Sequence, residues 1–415
     1  MVAGRVAELR SPCRKFSSSQ SPHSSRPSIP SAHNPPRGGV CPGPAPGTIV
    51  AEPEDLRSLS GVLEADLTAN SAANTDGSPR YCFTDGAGHE SPNLRVSPSD
   101  LVILHLRNSL RNLSGNSALR AHTHHGKQDV PPNDPYHSAV MSAVSTNLHF
   151  HGLTVPPECH QDEVLKTSVQ PGDAPFEYRF RIPVDGPLGL YWYHPHIHGF
   201  SKTPILGGAS GALIVEGIER MKRAAAGLPE RVFIIRDMDL VNPNAPPAKS
   251  EPVVPKYLID RDGDAANTGT GFGKPAKDLS INYVPVPYPD YLPATIEMRP
   301  RERQLWRVLN ASAITYLNLA VLFNRAPQPL ELVGIDGVPM THGDPAGLPV
   351  DAQTHIGLPP GARAEFIVTK PAQGQPALPV THTVDTGPRG ENDPNRAFAT
   401  IVASYPSEQR TQSRC

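Results

Sequence analysis

Short stretches of alternating apolar and polar residues recur along most of the chain, and turn residues separate them. The clearest is FEYRFRIPV, residues 176–184, in which one alternate set is apolar: Phe176, Tyr178, Phe180 and Ile182. Side chains at alternate positions of an extended strand lie on the same face, so this pattern predicts a half-buried antiparallel strand. Many such strands with turns between them predict an all-β protein made of two Greek-key β-sandwiches.

The same pattern divides the chain into two β-rich units. Residues 1–58 are rich in Ser, Pro, Gly and Arg without a hydrophobic period, so we expect a disordered or processing segment there. The first sandwich is predicted at residues 59–218 and the second at residues 228–404. A short charged connector of one or two helical turns is expected between them, at residues 219–227, and a tail at residues 405–415.

Composition supports the all-β interpretation, because 49 of the 415 residues are Pro, which is excluded from helix interiors. The formal net charge of −2 leaves no basic excess, so a nucleic-acid partner is not expected. No apolar run reaches about 18 residues, so no membrane span is predicted. The N-terminal sequence lacks the apolar centre of a secretory signal. This indicates either a chain without an export address or a misassigned start codon, and localisation stays open.

The five cysteines form no C-x-x-C pair and no zinc spacing. A disulfide between Cys82 and Cys159 is left open by the sequence. The redox compartment therefore does not follow from cysteine usage.

Histidines at alternate positions mark two segments, STNLHFHGLTVPP and GPLGLYWYHPHIHGF. The first contains His149 and His151, and the second contains His194, His196 and His198. In an extended strand each H-x-H pair presents two imidazoles on one face, and two such strands can bring four nitrogens to one metal. Unliganded core histidines are the alternative, but every unsatisfied buried nitrogen would cost about 1–3 kcal/mol. The pattern therefore favours a metal site.

A third segment, RAHTHHGKQDV, contains His122, His124 and His125. Its polar composition is typical of an inserted, exposed loop. We expect ordinary surface histidines there rather than an accessory metal site.

The two H-x-H segments carry a resemblance to a known family. N-L-H-F-H-G-L and G-L-Y-W-Y-H-P-H-I-H-G resemble the first and second copper motifs of the multicopper oxidases, which include laccases, cuprous oxidases and bilirubin oxidase. QPGDAPFEYRF, RQLWRVLNAS and VDTGPRGENDPNRAFATIV are also similar to segments of bacterial members, so the resemblance covers about residues 60–404. It implies a cupredoxin-like fold for both sandwiches and copper as the cofactor.

The resemblance also implies a role for individual histidines. His149 corresponds to the type 2 copper ligand, His151 and His194 to ligands of one type 3 copper, and His196 to a ligand of the other. Together they would form half of a trinuclear copper cluster, whose eight histidines come from two domains in this family. His198 falls outside the ligand pattern.

Asp162 corresponds to a carboxylate that relays protons to bound oxygen in many members of the family. The alternative for Asp162 is a solvated loop carboxylate.

The resemblance further implies a third domain that carries an H-P-x-H-x-H motif and an H-C-H-x-x-x-H motif, the latter forming the type 1 copper site. Among the cysteines only Cys159 adjoins a histidine, His160, and no H-C-H sequence is present. His342, His355 and His382 are isolated, so the second sandwich is expected to hold no copper ligands. We expect the third domain to be lost by truncation or frameshift, or supplied by a separate chain.

The function implied is one-electron oxidation of a small reducing substrate coupled to reduction of oxygen to water. Without a type 1 site, appreciable activity of this chain alone is not expected. The alternatives are a non-catalytic copper-binding protein and an inert structural remnant.

Overall fold

The computed structural model describes residues 40–404 except 75–76, 114–121, 124–139, 247–272, 341–351, 373–376 and 387–389. The helical elements of this part are short: α1 (Lys202–Leu206), α2 (Ile218–Met221) and a 3-10 turn at Arg223–Ala225. The remaining regular structure consists of β-strands, which confirms the all-β prediction. Neither helix of the described part is long and apolar enough to cross a membrane.

The strands before α2 form one group. They are β1 (Asp55–Arg57), β2 (Val62–Ala73), β3 (Pro79–Thr84), β4 (Asn93–Val96), β5 (Leu101–Ser109), β6 (His122–Thr123), β7 (Val140–Met141), β8 (His149–His151), β9 (Phe176–Arg181), β10 (Gly189–His194) and β11 (Gly211–Val215). One sheet has the order β1-β4-β11-β10-β8 and the other the order β3-β2-β5-β9, while β6 pairs with β7. Apolar side chains of both larger sheets, among them Phe83, Phe150 and Tyr178, form one buried core.

The register of β9 shows why this sequence folds as a sandwich. β9 pairs antiparallel with β5, so Phe180 lies opposite Val102 and Tyr178 opposite Leu104. Phe176, Tyr178 and Phe180 are buried, while the residues between them are half-buried or exposed. The alternation read from the sequence is therefore the alternation of core and outer face.

The strands after α2 form a second group. They are β12 (Glu230–Met238), β13 (Asp278–Ile281), β14 (Val284–Val286), β15 (Ala294–Met298), β16 (Arg303–Asn310), β17 (Leu317–Phe323), β18 (Ala326–Pro327), β19 (Leu330–Ile335), β20 (Val338–Pro339), β21 (Ala352–Gln353), β22 (Ile356–Leu358), β23 (Arg363–Thr369), β24 (Leu378–Thr381), β25 (Arg396–Ala397) and β26 (Ala399–Ala403). The largest sheet runs β14-β13-β12-β16-β23-β19-β20, with β21 beside β19. A smaller sheet runs β18-β17-β24-β25 with β22 beside β17, and β15 pairs with β26. Their apolar faces enclose a core that includes Trp306 and Phe366.

The outer face of the β10–β11 pair is buried against the second group of strands. This contact is a separate apolar cluster: Leu190, Trp192, Ala212, Ile214, Val232, Ile234, Leu309 and Ala311. β10 is consequently buried along its whole length, with core on one face and the second group on the other. The strand that carries His194 is therefore held rigidly from both sides.

A buried ion network connects the same two groups of strands. The Arg307 side chain is 1% exposed and forms ion pairs with Glu365 and, at 3.0 Å, with Glu230. The Glu365 carboxylate also accepts a hydrogen bond of 3.3 Å from the Leu190 backbone N–H in β10. Glu365 therefore satisfies both a buried cation of the second group and the backbone of the first.

The structure answers one question that the sequence left open and differs from one expectation. Cys82 forms its disulfide with Cys41, not with Cys159. Residues 40–58 are also ordered rather than disordered, because β1 pairs in parallel with β4 and Ile49 forms a bridge to Thr295. The high Pro content of this segment obscures a strand of only three residues, and the buried half-cystine at Cys41 anchors it.

The buried network gives a stability prediction. Glu365→Ala leaves the Arg307 cation without its buried partner, so we expect the free energy of unfolding to fall by about 3–5 kcal/mol. Glu331→Ala is the matched control, because Glu331 pairs with Arg303 at 2.7 Å where both side chains are over one-third exposed. The control should cost less than about 1 kcal/mol. Urea unfolding at neutral pH measures the free energy of unfolding of both variants. Equal losses of stability would contradict the role of Glu365 as the buried partner of Arg307.

Candidate metal centre

The pairing of β8 with β10 brings the two histidine segments together. These strands are antiparallel, with His149 opposite His194 and His151 opposite Trp192. Residues directly opposite one another place their side chains on the same face of a sheet. The intervening Phe150 and Tyr193 lie on the other face, where both are fully buried in the core of the first group. Because side chains alternate between the two faces of a strand, Phe150 and Tyr193 enter the core while the histidines lie on the opposite face.

The histidine cluster consists of His149, His151, His194 and His196. The ring centroid of His149 lies 5.5 Å from that of His151 and 5.3 Å from those of His194 and His196. One ligand nitrogen from each of His149, His151 and His194 lies within 4.8 Å of the others. His196 lies just after β10 and outside this three-residue set, with its ring 6.1 Å from that of His194. The structure thus brings together all four histidines that the sequence singles out.

A hydrogen bond to a carbonyl oxygen fixes which nitrogen of the His194 ring is available. Nδ1 of His194 lies 3.0 Å from the carbonyl oxygen of Pro195, which can only accept a hydrogen bond. Nδ1 of His194 is therefore the protonated nitrogen, and its Nε2 carries the lone pair. That Nε2 lies 3.3 Å from Nδ1 of His151. Two ring nitrogens therefore meet at the centre of the cluster.

Burial favours the neutral form of His151, His194 and His196. Desolvation, followed by the charge of Arg363, lowers the pKa of His151 to about 4. Desolvation also lowers the pKa of His194 well below its ordinary value and lowers the pKa of His196. Metal ions bind the neutral imidazole, so these three histidines are ready to act as ligands at neutral pH.

Asp162 lies behind His149. Its two carboxylate oxygens are 2.9 and 3.1 Å from Nδ1 of His149, and one of them accepts a 3.0 Å hydrogen bond from the Phe150 backbone N–H. Its side chain is only 11% exposed, in contrast to the solvated loop carboxylate considered as an alternative. A carboxylate bonded to Nδ1 orients the ring and leaves Nε2 free for a metal.

Asn147 is a residue of the site that the sequence analysis missed. It is fully buried, and its Oδ1 accepts a 2.7 Å hydrogen bond from the His196 backbone N–H. Its Nδ2 donates to the carbonyl oxygen of Thr167 at 3.0 Å. One amide side chain therefore holds the His196 segment against β8 and against the loop that follows Asp162. The available signal was an Asn beside Leu148, two residues before the first histidine.

Arg363 and Gly361, from the second group of strands, cover His151 and were also missed. Nε of Arg363 donates to the Leu190 carbonyl at 3.1 Å, and its Nη1 lies 3.1 Å from the Asp336 carboxylate. Gly361 has a φ of +83°, and a Cβ there would lie 3.1 Å from Cε1 of His151. Gly361 therefore permits the close approach that a larger residue would hinder. No local motif marks either residue, because each acts across the contact between the two groups of strands.

Among the histidines that the structure describes, those named in the sequence analysis beyond these four are not part of the cluster. His198 is exposed, as is His355, and His382 is half-buried away from the site. His122 lies in β6, while His124, His125 and His342 lie outside the described residues. Within the described part no cysteine is available as a ligand, because Cys41, Cys82 and Cys159 are all disulfide-bonded.

The sequence segment that contains the cluster matches a known family. Residues 141–220 fit the sequence model of a family described as Multicopper oxidase. Over these residues the chain is similar to the multicopper oxidases.

Solved multicopper oxidases have a similar fold. The 2F4 variant of McoA from the hyperthermophile Aquifex aeolicus is 15% identical with a TM-score of 0.57, covering 86% of this chain and 65% of that protein. The laccase-like CueO from Ochrobactrum sp. is 18% identical with a TM-score of 0.52 and coverage of 86% and 64%. A metallo-oxidase from Campylobacter jejuni is 20% identical with a TM-score of 0.56 and coverage of 87% and 62%. The likeness confirms the cupredoxin-like fold, and the chain spans less than two-thirds of each of these proteins.

The donors of the cluster fit copper. All of them are imidazole nitrogens, which are good ligands for copper. Nδ1 of His196 is buried and has no hydrogen-bond partner within the described residues, so a ring nitrogen stands unsatisfied beside the other three histidines. A metal ion would satisfy it.

The role of the Asn147 hydrogen bonds in holding the His196 segment can be tested directly. Asn147→Ala removes the acceptor for the His196 N–H, so we expect copper affinity to fall by about 10- to 100-fold. Asn108→Ala is the control, because the Asn108 side chain is also buried and donates to backbone carbonyls of Val144 and Val169 at 2.8 and 2.7 Å. Both variants should lose about 1–3 kcal/mol of stability, but only Asn147→Ala should weaken copper binding in a competitive titration. Equal copper affinities of the two variants would contradict this role.

Proposed function

We propose that the histidine cluster holds copper as half of the trinuclear site of a multicopper oxidase. His149 would bind the type 2 copper, His151 and His194 one type 3 copper, and His196 the other. The observation that carries the proposal is the convergence of two H-x-H pairs from paired strands, with ligand nitrogens of His149, His151 and His194 within 4.8 Å. Bound copper would supply one-electron chemistry, so that four electrons from a small reducing substrate, with four protons, reduce one oxygen molecule to two water molecules.

The chain's own residues prepare this site in two ways. The Asp162 carboxylate and the Pro195 carbonyl accept hydrogen bonds from Nδ1 of His149 and His194, so both rings present Nε2. The buried faces of Trp192 and the second group of strands keep water from the back of His151 and His194, since the Trp192 ring lies 4.9 and 4.1 Å from theirs.

We further propose that Asp162 moves protons into the site. Reduction of oxygen consumes protons, and a general acid must lie within hydrogen-bond reach of the groups that it serves. The Asp162 carboxylate contacts the proposed ligand His149, and its side chain is 11% exposed. It can therefore exchange a proton with solvent and hold it beside the site. The same carboxylate therefore orients His149 and can hold a proton next to it.

The proposed site is incomplete within the described residues. Four histidines account for half of the eight expected in this family, and no thiolate is near the cluster in the described part. We propose that another domain or a separate chain contributes the remaining ligands and the type 1 copper. A non-catalytic copper-binding protein is the second candidate, because a site of neutral imidazoles alone can bind copper without turnover.

Copper content tests the proposal. We expect the purified chain to bind copper and to lose most of it on His149→Ala or His194→Ala, because each variant removes a central ligand nitrogen. His355→Ala, which changes an exposed histidine outside the cluster, should retain the full copper content. Metal analysis after desalting into copper-free buffer gives the ratio of copper to protein for each variant.

Spectroscopy and oxygen uptake separate the remaining interpretations. The copper-loaded chain should lack intense blue absorption and should not consume oxygen steadily with a phenol as reductant. Intense blue colour with sustained oxygen consumption would show that a type 1 site is present. Equal copper loss from His149→Ala and His355→Ala would refute the cluster as the copper site.

A further inference from the structure

A large cleft lies between the two groups of strands and shares no lining residue with the histidine cluster. Its volume is about 530 Å³. Its walls come from the end of β2, the start of β3 and α1 on one side, from β12 and the β13–β14 hairpin on the other, and from residues 40–46. Cavities of roughly 300–1,000 Å³ between domains are the usual location of small-molecule sites.

A buried cation with an unmade hydrogen bond lines this cleft. Arg236 is 2% exposed, and its Nε and Nη2 donate to the side chain and backbone oxygens of Ser210 at 2.8 and 2.7 Å. Its Nη1 has no hydrogen-bond partner within the described residues. Burial lowers the pKa of Arg236, which shows that its neighbours do not fully replace the lost solvation.

A second guanidinium contacts the same aromatic ring as the first. The charged groups of Arg80 and Arg236 lie 4.3 and 4.0 Å from the centre of the same ring, that of Tyr283. Arg80 forms an ion pair with Glu90, and its Nε donates to the Cys41 carbonyl at 2.9 Å. The disulfide of Cys41 thus helps to fix the wall that positions Arg80.

The carboxylates of the lining are engaged elsewhere. Asp237 accepts hydrogen bonds from the backbone N–H groups of residues 313–315 at 2.8–3.2 Å. Asp239 pairs with Lys277 at 2.7 Å. Among the acidic residues that the structure describes, only Glu90 faces the two guanidiniums, so one positive charge is left without an acidic partner there. This electrostatic balance favours an anionic ligand.

The rest of the lining is mainly apolar and includes Pro42, Pro44, Leu206, Met238 and Pro287. Such walls favour a ligand with an apolar body, because removal of apolar surface from water stabilises the complex. A bare inorganic anion would leave most of the cleft unfilled.

We propose that this cleft binds a small aromatic carboxylate, with the carboxylate at Arg80 and Arg236 and the ring against the prolines. Charge-assisted hydrogen bonds from guanidinium to carboxylate are about twice as strong as neutral ones, so charge should dominate recognition. The proposal does not depend on copper at the histidine cluster.

Calorimetric titration of the full chain with 2-naphthoate, its neutral amide 2-naphthamide and inorganic phosphate tests this. We expect 2-naphthoate to bind at least about ten-fold more tightly than either of the other two ligands. Arg80→Gln should lower the affinity for 2-naphthoate by at least about ten-fold and leave the affinity for 2-naphthamide unchanged. Arg107→Gln, an exposed arginine in β5, is the matched control and should change neither affinity.

Three results would overturn the proposal. These are equal affinities for 2-naphthoate and 2-naphthamide, phosphate binding as tightly as 2-naphthoate, and an Arg80→Gln variant that binds 2-naphthoate normally. The comparison of ligands uses the unaltered chain, so it tests the preference for an aromatic carboxylate even if a variant fails to fold.

Discussion

The antiparallel pairing of β8 with β10 is the constraint on which the site depends. Because His194 lies opposite His149 and Tyr193 opposite Phe150, one register decides both the core and the cluster. A slip of one residue would turn the histidines into the apolar core and expose the aromatic residues. The burial of Phe150 and Tyr193 therefore maintains the geometry of the proposed ligands.

The second group of strands covers the histidine cluster that the pairing of β8 with β10 positions. It buries Trp192 next to His151 and His194, and it places Arg363 and Gly361 against His151. The low pKa of His151 thus depends on residues more than 150 positions away in the sequence. A first sandwich without its neighbour would expose the back of the cluster to water, so the two groups of strands act as one scaffold for the site.

Local patterns predicted much of this structure, and contacts between distant residues explain the rest. The alternation in residues 176–184 and the two H-x-H pairs follow from the two-residue period of a strand, so the β9 face and the cluster could be predicted. The partner of Cys82 and the hydrogen bonds of Asn147 depend on how separate segments meet, which no local pattern records. The three-residue strand β1 was hidden by a composition that is typical of disorder.

The paired H-x-H strands are proposed to create one copper site. Anomalous X-ray diffraction at the copper absorption edge, from crystals of the copper-loaded chain, tests it most directly. We expect an anomalous peak within bonding distance of ring nitrogens of His149, His151 and His194. Well-occupied copper elsewhere on the molecule, with no peak among these three histidines, would contradict it.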